Sequence, residues 1–165
     1  MRMELIQPFI NAADAVLAET LQCTTQMGGV SMEEAAYRRR GVAAVVNIQG
    51  DIEGRIILDL DPQTAVNVAS KLMGEPVAGS EMMIQETVFE LANQIIGNAV
   101  TMLNDGGFRF KIHPPEPPAE QGPRSTEDTE ALVMCFDTPS GSMFMNIAMR
   151  YNRRRKSERE AVVVG

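Results

Sequence analysis

Apolar residues recur at helical spacing from about Glu4 to Cys23, where Leu5, Phe9, Ala12, Ala13, Val16, Leu17 and Leu21 share one face. Pro8 is expected in the first turn of this helix, where a missing N–H costs little. The pair Gly28-Gly29 then breaks the pattern. Two runs rich in Val and Ile follow, Val42 to Gln49 and Gly54 to Leu60, joined by a polar turn with Gly50 and Asp51. They predict a hairpin. A second helix opens at Asp61-Pro62, with Asp61 as N-cap and Pro62 at the first helical position. Its apolar stripe is Ala65, Val66, Val68, Ala69, Leu72 and Met73, and Gly74 is a natural C-terminal cap. The third and longest helix runs from Glu81 to Leu103 and is stopped by Gly106-Gly107. Strands recur at Phe108 to Ile112, Ala131 to Asp137 and Met143 to Arg150, the last two pairing through Pro139-Ser140-Gly141. Between them, Pro114 to Glu130 is Pro-rich, acidic and without periodicity, the mark of an exposed connection that is either functional or disordered.

These elements predict an α+β fold, an antiparallel sheet covered by two long helices and one shorter helix. With 165 residues and 44% hydrophobic content the chain suits one domain, residues 1–150, followed by a polar tail over 151–165. Asn11, Asp14 and Glu19 interrupt the apolar run from Leu5 to Leu21, so no segment is expected to enter a membrane and a cytoplasmic protein is expected. The formal net charge of −7 repels a phosphate backbone and argues against nucleic acid. Basic residues do cluster at Arg38 to Arg40 and Arg153 to Lys156, the latter in a terminal run that reads as a solvated tail. Cys23 and Cys135 stand far apart with no CxxC spacing, which is neither a zinc site nor a disulfide framework.

Candidate chemistry concentrates on the third helix. With Glu90 at zero on a helical wheel, Ile84, Val88, Leu91, Ala92, Ile95, Ile96, Ala99, Met102 and Leu103 fall between about 100° and 240°. Opposite them lie Glu86, Glu90, Asn93, Gln94, Gly97 and Thr101. This polar ridge has no lysine or arginine, although solvated faces usually mix charges. Gly97 stands one turn beyond Asn93, where glycine costs a helix about 1 kcal/mol relative to alanine. Its missing side chain would let another surface approach. Phe89 and Val100 border the ridge with large apolar groups, completing a docking face of Glu86, Phe89, Gln94, Gly97 and Val100 around the pair Glu90 and Asn93.

Several chemistries are excluded. The only histidine, His113, precedes two prolines at a strand end, and no Ser-His-Asp set can be built around it. There is no phosphate-binding glycine loop. Glu86 and Glu90 lack histidine partners and Asn93 is a weak metal ligand, so no metal site is expected. A carboxamide does suit acyl-phosphate hydrolysis. Its C=O accepts from a water while its NH₂ donates to a phosphoryl oxygen, as the catalytic glutamine of small GTPases orients water. A neighbouring glutamate can pair with a lysine of the substrate protein. The bland alternative, that Glu90 and Asn93 only solvate a surface helix, is the usual fate of such faces.

The run Phe89-Glu90-Leu91-Ala92-Asn93-Gln94-Ile95-Ile96-Gly97-Asn98-Ala99 resembles the catalytic helix of the CheX/CheC/FliY phosphatases, in which an E-x-x-N pair does the work. The likeness is closest to CheX and covers most of the chain. It includes Ile6-Gln7-Pro8-Phe9-Ile10, Gly54-Arg55-Ile56-Ile57-Leu58, the helix from Ala65 to Gly74, and Phe110-Lys111-Ile112-His113-Pro114-Pro115. The resemblance implies a phosphatase acting on the phospho-aspartate of a CheY-like receiver, with Asn93 orienting the water and Glu90 salt-bridging a receiver lysine. It implies no cofactor beyond the receiver's own Mg²⁺. It also implies one site per chain, because the first helix has no E-x-x-N, and a homodimer joined sheet to sheet. Glu86 departs from the Asp or Ser that the family often has there, which leaves its role open. The rival reading is a non-catalytic domain of the same fold that binds a receiver or another chemotaxis or flagellar partner.

Overall fold

The alternation of each strand sorts its side chains onto the two faces of one sheet, and apolar rows run across it. Strands β2 (Val42–Gly50), β3 (Ile52–Leu60), β5 (Glu130–Thr138) and β6 (Gly141–Tyr151) align Val46, Ile56, Ile147 and Leu132 in one row. Ala44, Leu58, Met145 and Met134 form the next. All eight are buried and belong to the main core. In this computed structural model the described residues are 3–22, 26–33, 40–77, 80–114 and 130–152. They form six antiparallel strands in the order β1-β5-β6-β3-β2-β4, where β1 is Gln26–Glu33 and β4 is Phe110–Ile112.

The apolar face is roofed by α1 (Met3–Leu21), α2 (Pro62–Met73) and α3 (Glu81–Asp105). Helix α3 lies over β2 and β3, α1 packs along α3, and α2 rests on β6 and touches both other helices. Two long helices and a shorter one over an antiparallel sheet is the architecture that the periodicity predicts. Every apolar residue expected on α1 is buried, from Leu5 at 2% exposed to Leu21 at 0%. Each fully buried side chain of this size contributes about 1.5–3 kcal/mol.

Some expectations change at the element ends. Helix α1 starts at Met3, so Pro8 lies in the second turn, where its ring removes a donor to the Glu4 carbonyl. On α2, Ala65, Val68 and Ala69 are buried and Val66 is half-buried, but Leu72 and Met73 are exposed because the last turn overhangs the core. Asp61 occupies the N-cap position without a side-chain capping bond, while Pro62 and the left-handed Gly74 act as predicted. Met102, at the edge of the apolar arc of α3, is 41% exposed. Strand β4 begins at Phe110 rather than Phe108, whose ring instead packs on Tyr151 at 5.9 Å. Strand β1 was not expected at all. The Pro-rich loop beyond Pro114, Cys23, Arg38, Arg39 and the tail beyond Asn152 lie outside the described residues.

Gly54 shows how tightly the central strands approach. Its φ is +149°, and a Cβ there would stand 2.0 Å from the Ala148 carbonyl oxygen on β6. Gly54→Ala must shift a backbone, not a flexible side chain, and is expected to cost about 2–4 kcal/mol. Equilibrium denaturant unfolding checks this: a wild-type midpoint would show that the strand can give way.

Candidate functional site

Helix α3 is held in place by its apolar stripe. Ile84, Val88, Leu91, Ala92, Ile95, Ile96, Ala99 and Leu103 are all buried against the sheet and the other helices. The Ser80 hydroxyl caps the N-terminus by accepting from Met83 N. Gln85 donates to the Ala43 carbonyl at 3.0 Å and pins the first turns to β2. A helix fixed on one side presents its opposite side at a defined angle, and Glu86, Glu90, Asn93, Gln94, Gly97 and Thr101 are all exposed. Phe89 and Val100 are half-buried, packed against the core at the margin of this ridge.

Asn93 points outward, as its predicted role demands, and among the described residues nothing hydrogen-bonds its amide. Its donor and acceptor are therefore both available. Glu90, one turn earlier, accepts from Gln94 Nε2 at 3.2 Å through Oε1. Neither α1 nor α3 carries a lysine or arginine, so no cation on those helices competes for the carboxylate.

Packing does not account for Gly97. A Cβ at this position would meet nothing within 4 Å, so internal packing does not call for glycine. What a side chain would obstruct is whatever approaches from outside. The Thr101 hydroxyl donates to the Gly97 carbonyl at 3.1 Å, which satisfies the helix on that side.

The ridge is not the whole of the site. Between α1 and α3 lies an open groove of about 460 Å³. Asn93, Gln94, Gly97 and Asn98 line one wall, and Val16, Glu19 and Thr20 of α1 line the other. Glu19, Thr20 and Asn98 are additions to the residues expected from sequence. Asn98 could have been found at about 80° on the wheel, flanking Gln94. Glu19 and Thr20 reach the site only through helix packing, across 74 residues of sequence between Thr20 and Gln94.

The remaining titratable and nucleophilic groups fall elsewhere. His113 is exposed beyond β4, its backbone N–H bonded to the Asn47 carbonyl. Cys135 is half-buried in β5, and burial followed by the Asp137 charge pushes its thiol above the ordinary value, which disfavours thiolate chemistry. Arg40 lies across the Phe144 ring at 4.0 Å, on the sheet face opposite the helices. Among the described residues no group of three or more His, Cys, Asp or Glu could hold a metal ion, and no helix is long and apolar enough to cross a membrane.

The same helix and sheet arrangement occurs in solved chemotaxis proteins. The chain is similar to the CheX of a CheX–CheY–BeF₃–Mg²⁺ complex from Borrelia burgdorferi, with 35% identity, a TM-score of 0.72, and coverage of 90% of this chain and 99% of that one. It also resembles a CheC-like superfamily protein from Shewanella sp. PV-4, at 19% identity, TM-score 0.79, and coverage of 91% and 99%. A CheX from Desulfovibrio desulfuricans is similar in fold, at 22% identity, TM-score 0.76, and coverage of 90% and 99%. Among curated proteins none matches the chain. The family described as chemotaxis phosphatase CheX matches residues 42–138, more than half of the 165 and including the whole of α3. The chain belongs to the CheX family.

Proposed function

We propose that the protein hydrolyses the aspartyl phosphate of a CheY-like response regulator, with Asn93 positioning the attacking water. One observation carries the reading: Asn93 and Glu90 stand one turn apart on a rigid, cation-free, exposed helix face beside a glycine that packing does not require. In this reading the docked receiver brings its phosphoryl group to the Asn93 amide. The amide C=O accepts from the water and its NH₂ donates to a phosphoryl oxygen, which sets the water oxygen in line with phosphorus. The new bond joins water oxygen to phosphorus, and the bond from phosphorus to the aspartyl oxygen breaks. The aspartate leaves as carboxylate, and inorganic phosphate carries away the water's remaining atoms, releasing a proton to solvent.

Glu90 supplies the second contact, a charge-assisted pair with the receiver's active-site lysine. That pairing fixes the angle at which the receiver docks, and the apolar margin of Phe89 and Val100 adds contact area around it. Glu86 and Gly97 complete the docking face in this proposal, with Gln94 bonded to Glu90 beside it. Mg²⁺ enters as part of the phosphorylated receiver and neutralises charge on its phosphoryl oxygens, so the chain is proposed to need no cofactor of its own. Support for the partner comes from the Borrelia burgdorferi neighbour, whose structure contains CheX together with CheY. A cytoplasmic location follows from that partner. A homodimer joined sheet to sheet would use β1 or β4, the outer strands of the described sheet, and analytical ultracentrifugation tests it.

Glu90→Lys is the test of the docking role. It sets two ammonium groups against each other while leaving Asn93 in place. KM for the phosphorylated receiver is expected to rise about tenfold, with a smaller change in kcat. An unchanged KM in steady-state phosphate release would remove Glu90 from the interface.

A further inference from the structure

Gln94 joins the two long helices at the rim of the groove. Its Nε2 donates to Glu90 Oε1 at 3.2 Å, and its Oε1 accepts from the Thr20 hydroxyl at 3.4 Å. A carboxamide can donate from one end and accept at the other without carrying charge. The chain Thr20 to Gln94 to Glu90 therefore runs from α1 across to the carboxylate on α3. It engages one oxygen of that carboxylate and leaves Oε2 open toward solvent.

The physical consequence concerns rotamer freedom. An exposed glutamate samples many side-chain conformers, and freezing one on docking costs conformational entropy. A hydrogen bond already made in the free protein moves that cost from docking to folding. Gln94 is exposed, so its own freedom would defeat the purpose unless something holds it. Thr20, half-buried on the neighbouring helix, is placed to do so.

We propose that Gln94 is a positioning residue that holds Glu90 in its docking rotamer, with Thr20 of α1 fixing Gln94 in turn. The proposal rests on the phosphatase reading and adds α1 to the site. That helix has no E-x-x-N of its own, yet in this proposal it sets the geometry of the pair on α3.

A double-mutant cycle tests it, with steady-state phosphate release from an Mg²⁺-loaded phosphorylated CheY-like receiver as one readout and affinity for the BeF₃-loaded receiver as the other. Gln94→Ala is expected to raise KM about three- to tenfold, the scale of one ordinary intramolecular hydrogen bond, with kcat changed by less than about twofold. Thr20→Val should raise KM about threefold, and Thr20→Ser, which keeps the hydroxyl, should restore the wild-type value. In a Glu90→Ala background, Gln94→Ala should add nothing. Thermal midpoints of these variants should match wild type, which separates positioning from folding. An equal loss from Gln94→Ala in both backgrounds would overturn the proposal, since Gln94 would then act on the receiver directly. So would a wild-type KM for Gln94→Ala. If the wild-type protein releases no phosphate, the phosphatase reading falls, and the same coupling must still appear in BeF₃-receiver affinity for the positioning role to stand.

Discussion

Gly97→Leu is expected to make the protein more stable and nearly inactive. Leucine has close to the best helix propensity, and replacing an exposed helical glycine with it gains about 0.8–1 kcal/mol. For a domain of this size that raises Tm by about 3 °C. The Cβ itself meets no opposition, because at Gly97 it has no atom within 4 Å. The same side chain would project into the groove mouth beside Asn93 and Gln94, which share its lining with Gly97. A receiver surface that approaches this close would be held away, and kcat/KM is expected to fall about 100-fold. Calorimetry and phosphate release measured on one preparation check both halves. Stability and activity rising together would show that nothing docks over Gly97.

Asn93→Ala should separate chemistry from docking. The side chain is exposed, and its amide makes no hydrogen bond with the described residues, so the fold loses nothing and helix propensity gains a little. What disappears is the carboxamide proposed to hold a water while donating to a phosphoryl oxygen. A positioning loss of this kind is expected to lower kcat about 100-fold. Affinity for a BeF₃-loaded receiver should stay within about threefold of wild type, because Glu90, Phe89 and Val100 remain to dock it. Titration calorimetry with that complex would reveal a purely structural or docking role if affinity collapsed with the rate.

The ridge was legible because a helix of 25 residues with a clean apolar stripe leaves little freedom in which face is buried. Once Leu91, Ile95 and Ile96 go inward, Glu90, Asn93 and Gln94 must go outward. The α1 stripe was equally plain. Strand β1 was not, since Gly28 and Gly29 read as a breaker and only 8 residues are involved. It forms because β5 offers a backbone partner along its length, and the ladder absorbs the glycines in an irregularity between Met27 and Gly29. This is tertiary pairing overriding local propensity. Leu72, Met73 and Met102 went astray for the opposite reason. Periodicity assigns a face, but it does not say where along a helix the core ends.

The α1 wall of the groove was beyond reach for a different cause. Which residues of α1 oppose Gln94 depends on how two helices 60 residues apart settle on one sheet, and no local pattern encodes that. Thr20 and Glu19 read simply as the polar end of an amphipathic helix. Their meaning appears only when Thr20 is seen bonded to the residue that holds Glu90.

The most direct measurement is inorganic phosphate release from an Mg²⁺-loaded, phosphorylated CheY-like receiver, with the protein present well below the receiver concentration. If Asn93 delivers water to the phospho-aspartate, each wild-type molecule clears many receivers, and the Asn93→Ala protein leaves the receiver decaying close to its unaided rate. Equal clearance by the two proteins, or no clearance by either across a set of CheY-like receivers, would contradict the account.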